Sequence, residues 1–199
     1  MKIKALLIVS VALLLSVQAK AQLGVQIGQN FAKIDGNTVA SYDEEYLKNF
    51  TGGVYFDKDL IPLIDLRIGA FYSPKGSSYV SGDYYNNTCL NYIEVPVQAK
   101  VKVGPVYALG GAYGAYALNG SFDVKNASSD TSTEMDFDTD QFRKEDFGLK
   151  FGIGFQIGLG PLHVFIEGDY SMGMLDIYNG DAVYKNNNIG AFIGANIGF

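Results

Sequence analysis

From residue 22 onward the chain alternates apolar side chains with polar or small ones at a period of two, and one of the two faces so defined is too greasy for water. Residues 90–103 put Ile93, Val95, Val97, Ala99, Val101 and Val103 on one side, against Tyr92, Glu94, Pro96, Gln98, Lys100 and Lys102. Residues 143–158 set Phe147, Leu149, Phe151, Ile153, Phe155 and Ile157 against Asp146, Gly148, Lys150, Gly152, Gly154 and Gln156. The final stretch sets Ile189, Ala191, Ile193, Ala195, Ile197 and Phe199 against Gly190, Phe192, Gly194, Asn196 and Gly198. Such alternation, rich in β-branched and aromatic residues, is the signature of strands, and helical spacing is absent.

The pattern predicts eight strands, at 22–31, 49–57, 63–73, 90–103, 105–118, 143–158, 161–173 and 188–199. Connections alternate in length. Tight turns fall at Lys58 to Pro62, at Gly104 before Pro105 and at Leu159-Gly160 before Pro161, whereas 32–48, 74–89, 119–142 and 174–187 read as long polar loops. Short turns at one end and long loops at the other characterise a bacterial outer-membrane barrel, with the short end and both termini in the periplasm. The expected fold is therefore all-β, an eight-stranded antiparallel up-and-down transmembrane barrel. Pro96 cannot donate a ladder hydrogen bond, so a local bulge is expected there.

A soluble ligand-carrying barrel would turn the apolar face inward and coat itself with Lys, Glu and Thr. Here the opposite face is thick with glycine instead. Glycine weakens a strand unless something must approach closely, and an eight-strand barrel is only just wide enough for its own side chains. Glycine beside charged residues and tyrosines is a way to fit a polar lumen. Six bulky apolar residues per strand would also exceed the few hundred Å² of apolar patch that soluble monomers tolerate. The apolar face is thus read as facing lipid, with Tyr72, Tyr107, Tyr113, Phe147, Tyr170 and Phe199 expected in the interfacial girdles.

Residues 1–21 have the form of a cleaved secretory signal, leaving a barrel domain at 22–199. Lys2 and Lys4 precede the apolar run Ala5 to Val17, and Ala19-Lys20-Ala21 supplies a cleavage site. The run is shorter than the roughly 20 residues of a membrane-spanning helix. Removing Lys2, Lys4 and Lys20 leaves 12 basic residues against 21 acidic ones, without a basic cluster, which argues against nucleic acid as a partner. The single Cys89 allows neither an internal disulfide nor a thiolate metal site.

Inward parity gathers Asp65, Arg67, Glu94, Lys100, Lys102, Asp146, Lys150, Glu167 and Asp169 in the lumen. Charges in so narrow a space must pair or be hydrated. They are read as a structural salt-bridge core rather than a selectivity filter, with Arg67 and Glu94 on adjacent strands as the expected pair. Asp136, Asp138 and Asp140 resemble the start of a calcium loop. However, Gln141 stands where the sharp-turn glycine belongs and Phe147 where the bidentate glutamate belongs, so no metal is assigned. His163 is the sole histidine, and Ser171 lies eight residues farther along the same strand, which is too distant for a catalytic pair. Gly152-x-Gly154-x-x-x-Gly158 lacks dinucleotide spacing, and the Asn-x-Ser/Thr triplets at Asn49, Asn86, Asn119 and Asn126 are read as chance. No cofactor and no enzymatic activity are expected.

The chain resembles the outer-membrane β-barrel domain family widespread in Bacteroidetes, which includes PorT-like proteins. The resemblance rests on Phe71-Tyr72-Ser73-Pro74-Lys75-Gly76, on Tyr92-Ile93-Glu94-Val95-Pro96-Val97 with Lys100, on Asp146-Phe147-Gly148-Leu149 with Gly152 and Gly154, and on Ile197-Gly198-Phe199. It implies that Glu-x-Pro is native to this strand. It also implies that Ile197 and Phe199 belong to the signal read by barrel-assembly machinery, and that the protein supports secretion or is porin-like. It transfers no catalytic residues. Outer-membrane lipid is the expected surrounding, and a secretion or surface partner would engage the four long loops. The alternatives are a narrow porin, a soluble periplasmic ligand-binding barrel and, more distantly, a lipid hydrolase using His163. In fractionated cells the mature chain should pellet with outer membranes, and unheated samples should migrate differently from boiled ones on electrophoresis. Recovery in the soluble fraction would contradict the orientation argued above.

Overall fold

The computed structural model describes residues 21–36, 43–81, 84–126, 129–137, 142–180 and 182–198. The expected signal segment up to Lys20 lies outside them, as do Asp138, Asp140 and Phe199. Ten strands follow one another: β1 (Ala21–Asp35), β2 (Asp43–Glu45), β3 (Leu47–Ile61), β4 (Ile64–Ser81), β5 (Tyr84–Val103), β6 (Val106–Asn126), β7 (Ser129–Glu134), β8 (Glu145–Leu159), β9 (Leu162–Gly173) and β10 (Lys185–Gly198). Eight of them close into an antiparallel barrel in the order β1-β3-β4-β5-β6-β8-β9-β10, with β10 returning to β1. The short β2 and β7 pair with the outer ends of β4 and β6. Closure leaves no stave as an open edge, which is the condition for crossing lipid with strands.

One circuit of cross-strand partners describes the barrel. Leu23 faces Phe56, then follow Ile68, Val97, Ala112, Leu149, Met172 and Asn187, and the path re-enters β1 at Lys33. It starts on Leu23 and returns to the same strand ten residues later, an offset that corresponds to a strand tilt of roughly 40°. The helical path also rises from the apolar rim of the tight turns to a polar rim at the other end.

The faces divide as the alternation requires. On β5, Ile93, Val95, Val97, Val101 and Val103 are 39–72 % exposed while Tyr92, Glu94, Gln98 and Lys100 are buried. Phe147, Phe151, Ile153, Phe155 and Ile157 on β8 and Ile189, Ile193 and Ile197 on β10 likewise point outward. An inward-greasy soluble barrel is thereby ruled out. Tyr72, Tyr116, Phe147 and Tyr170 stand at the outer edge of the apolar band. Tyr107 and Tyr113 do not join them, contrary to expectation. They share the inward parity of β6 and are 2 % and 1 % exposed, because the outward row of that strand is Val106, Ala108, Gly110, Ala112, Gly114 and Tyr116.

Two further expectations are corrected. Residues 74–89 do not form a long loop: β4 and β5 continue as a paired ladder to Ser81 and Tyr84, because Ser, Thr, Asn and Tyr alternate there as strand residues do in water. No bulge accommodates Pro96. The β4–β5 register is the same at Ile68↔Val97 and Phe71↔Glu94, with the two intervening bridges missing, and Pro96 still pairs with Tyr113 on β6. The sheet absorbs the proline by omission, and the irregularity of β5 falls instead at Asn91/Tyr92.

Lumen glycines make room for rings. A Cβ built on Gly154 would collide with the ring of Tyr107, and one on Gly24 with that of Tyr55, so these tyrosines lie flat over backbone from neighbouring strands of the sheet. Gly114, facing lipid, has nothing within 4 Å of such a Cβ. Gly154→Val should therefore lower resistance to urea unfolding by about 1–3 kcal/mol through overpacking. Gly114→Val should produce no comparable loss in the same titration.

Candidate functional site

The lumen is filled by two layers of charge. In the layer nearer the tight turns, Arg67 on β4 forks onto Asp57 of the neighbouring β3, with Nε to Oδ1 at 2.7 Å and Nη2 to Oδ2 at 3.0 Å. Its third contact, Nη1 to Glu167 Oε2 at 2.7 Å, reaches β9, the stave diametrically opposite. The Tyr107 hydroxyl donates to the same Glu167 oxygen at 2.7 Å, and Lys100 bridges Asp57 at 2.9 Å and Gln156 at 3.2 Å. The guanidinium lies 3.9 Å from the Tyr55 ring centroid, a cation–π contact away from water. Below it, at the tight-turn mouth, Lys102 pairs with Asp65 at 2.6 Å and Asp59 at 3.3 Å.

The outer layer is built around two lysines and three carboxylates. Lys75 on β4 contacts Glu94 at 2.9 Å and Asp146 at 3.0 Å, with its ammonium 3.9 Å from the Tyr113 ring centroid. Lys150 on β8 contacts Glu94 at 2.8 Å and Asp169 at 3.0 Å. Tyr113 and Asn186 donate to Asp146, and Ser73 to Glu94. Three of these contacts, Lys75 to Asp146, Lys150 to Glu94 and Asn186 to Asp146, join staves that are not neighbours and act as struts. Arg67 and Glu94 are 1 % exposed and Lys75 and Lys100 are 0 % exposed, so this packing leaves no passage for water beside them.

Above the outer layer lies an apolar lid. Ile34, Leu90, Tyr92, Ala117, Met135 and Ile177 form one buried cluster, with Phe122, Phe137, Phe142 and Tyr184 packed on it. Phe142 contacts Phe122, Tyr178 contacts Phe142, and Tyr184 contacts Tyr178, a chain of tilted rings with centroids 5.3–6.2 Å apart. Backbone bonds from Met135 to Gly120 and from Arg143 to Ile177 hold the connecting segments over the mouth.

All nine lumen residues singled out by parity face the interior, and the struts bring them together with partners the sequence reading did not name. Arg67 is not paired with Glu94. Arg67 takes Asp57 and Glu167, and Glu94 takes Lys75 and Lys150, because the register of the adjacent strands sets Arg67 opposite Gln98 and Glu94 opposite Phe71, four residues along. Asp57 shares the parity of Tyr55, and Lys75 continues the series 67, 71, 73, so both were findable once β4 was allowed to run past Tyr72. The lid leaves no pattern in the sequence, because Met135, Phe137, Phe142, Ile177 and Tyr178 are isolated apolar residues within stretches that read as polar loops. Ile197 is paired on both sides, with Leu23 and Leu162, and half-exposed to lipid.

His163 pairs with Asn196 and Gly158 at the tight-turn rim, whereas Ser171 is buried opposite Lys150, so β9 separates them along its length. Among the described residues no group of three His, Cys, Asp or Glu is arranged to hold a metal ion. Cys89 sits above the apolar band, half-buried, and burial pushes its thiol up to about 11.

The profile of the family described as "Outer membrane protein beta-barrel domain" matches residues 16–179. The chain belongs to that family. It is a small outer-membrane β-barrel, in keeping with the closed sheet and its apolar exterior. No curated protein matches the chain. Among solved structures it is similar to Ail, the attachment invasion locus protein of Yersinia pestis, with 13 % identity over 92 % of this chain and 100 % of that one at a TM-score of 0.45. It is also similar to Neisserial surface protein A, with 18 % identity over 89 % and 97 % at a TM-score of 0.46. A major outer membrane protein from Thermus thermophilus shows 14 % identity over 90 % and 99 % at 0.45. These likenesses concern the fold.

Removing Arg67 would leave Glu167 and part of Asp57 buried without their cation. Arg67→Ala should cost about 3–5 kcal/mol in reversible unfolding from detergent or vesicles, the usual penalty for orphaning a buried charge. Arg67→Lys should fall between it and the native chain, since an ammonium cannot fork onto Asp57 while reaching β9.

Proposed function

We propose that this outer-membrane protein is non-enzymatic and works as a sealed barrel that carries a surface structure outside the cell, serving envelope architecture, surface interaction or support of a secretion or transport assembly. The observation that carries this reading is the Arg67 to Glu167 strut across the full width of the lumen, with the apolar lid above it. A conduit would need hydrated space along its axis. Here a fixed ion network fills the axis, and its side chains are closed to water.

What remains for partners is the part beyond the membrane. Past Tyr72, Ile93 and Tyr116 the strands β4, β5 and β6 continue as a ladder for about nine residues each, an extension of some 20–30 Å at ~3.3 Å per residue less the tilt. β2 and β7 flank it, giving a five-stranded sheet rich in Ser, Thr and Asn that stands above the lid. Export by the N-terminal signal and recognition of Ile197 and Phe199 by assembly machinery would bring the chain to its membrane. A role beside a secretion assembly is what the PorT-like resemblance adds. It would show as a change in the proteins released by cells that lack the chain.

In planar bilayers the purified native barrel should give no discrete conductance steps at moderate voltage. Regular unitary steps in the native protein would favour the narrow-porin alternative and remove the basis of this reading.

A further inference from the structure

The lipid-facing surface is not uniform. One outward row of cross-strand partners runs Phe50 on β3, Gln29 on β1, Ala191 on β10, Gly168 on β9 and Ile153 on β8. Phe50 and Ile153, the two ends, are each 64 % exposed and stand proud of the surface. Between them Ala191 and Gly168 leave a hollow walled by Ile193 and Ile166 on one side and Ile189 and Tyr170 on the other. Two grooves meet there, sharing Ala191 and Phe192. One of ≈ 460 Å³ contains Gln29, Phe31 and Phe50, and the other of ≈ 540 Å³ extends over Gly168 to Val106.

Gln29 is the decisive member. Among the described residues it is the one carboxamide facing outward within the apolar band, flanked on its own strand by Ile27 and Phe31. It is exposed, and its side chain makes no hydrogen bond to another described residue. In hydrocarbon an unpaired amide costs several kcal/mol by general transfer arguments. A glutamine can donate and accept at once, so the same residue on a second copy satisfies it fully. Small residues that permit close approach, next to a polar residue that supplies the bond, are how membrane segments associate in lipid, where the hydrophobic effect gives no preference.

We propose that two copies of this barrel pair through β1, with the Gln29 side chains hydrogen-bonded to each other across a twofold axis along the membrane normal. Such an axis keeps every residue at its own depth, which lets the two amides meet. It also sets the β3 side of one copy against the β10 side of the other. Phe50 of each copy then faces the Ala191 and Gly168 hollow of its partner, a protrusion opposite a recess on both sides of the axis. This self-complementarity is what an isologous interface requires. A bound lipid could fill the hollow, but it offers no counterpart to Phe50 on the far side of Gln29.

The test is single-molecule photobleaching of the mature chain, labelled at its N terminus and diluted into large lipid vesicles. The native protein should bleach in two steps at densities where chance co-capture is negligible. Gln29→Leu, which removes the bond, and Gly168→Leu, which fills the hollow, should each raise the density needed for pairing by tenfold or more. A Cβ at Gly168 approaches only the Gly190 carbonyl oxygen, at 3.8 Å, so the barrel tolerates the change, and heat-modifiable migration verifies folding. Val97→Leu, on β5 across the barrel, should leave pairing unaltered. Single-step bleaching of the native chain at all densities overturns the proposal, as does a pair that survives either substitution or is equally weakened by Val97→Leu. Native mass spectrometry showing a monomer with one retained lipid, lost in Gln29→Leu, also overturns it and assigns the groove to that lipid.

Discussion

The bond between Arg67 and Glu167 ties the barrel across its diameter, and much of the molecule follows from why it must exist. Strands can cross lipid only as a closed sheet, because hydrocarbon leaves any unpaired amide or carbonyl without a partner. Eight staves are a small closure, with an interior that side chains alone can fill. Once the greasy face is committed to lipid, the other face must fold its polar groups against one another in that space. Arg67 holds Asp57 beside it and Glu167 opposite, Lys100 secures the second oxygen of Asp57, and Lys75 and Lys150 perform the same service for Glu94, Asp146 and Asp169. An isolated buried ion pair contributes little net stability. A network in which Arg67, Lys75 and Lys150 each serve two carboxylates fixes which staves face each other and at what height, and so acts mainly on shape.

The glycines belong to the same account. Tyr55 and Tyr107 close over the guanidinium as aromatic plates, and the absence of side chains at Gly24 and Gly154 lets them lie flat against the wall. Glycine, tyrosine and charge are thus three parts of one packing solution. Outside, the requirement is weaker. A lipid-facing residue needs only to be apolar, so β6 can carry Ala108, Gly110, Ala112 and Gly114 where β8 carries Phe151 and Phe155.

The architecture was legible because a period of two reports two environments directly. All eight staves, their order and the assignment of the inner face follow from the alternation in residues such as Val95, Val97 and Val101. The pairing inside the lumen was not legible. Which carboxylate Arg67 reaches depends on strand tilt and the ten-residue offset around the barrel, and both are properties of the closed sheet rather than of any strand. The outer ladder of β4 and β5 was lost for another reason: above the membrane both faces are polar, so Ser77, Asn87 and Thr88 carry no contrast for the pattern to reveal. The lid failed in the opposite way, since Met135, Phe142 and Ile177 are single apolar residues with no period, assembled only by the fold.

The orientation of the wall can be tested by NMR of the methyl-labelled protein in lipid nanodiscs, recording which side chains receive magnetisation from acyl-chain protons. The account predicts strong transfer to the methyls of Val97, Ile153 and Ile193. It also predicts that the ammonium protons of Lys75 and Lys100 exchange slowly with water and show no contact with lipid. Contact of those methyls with water in place of lipid, or rapidly exchanging ammonium groups in an open hydrated axis, would contradict it.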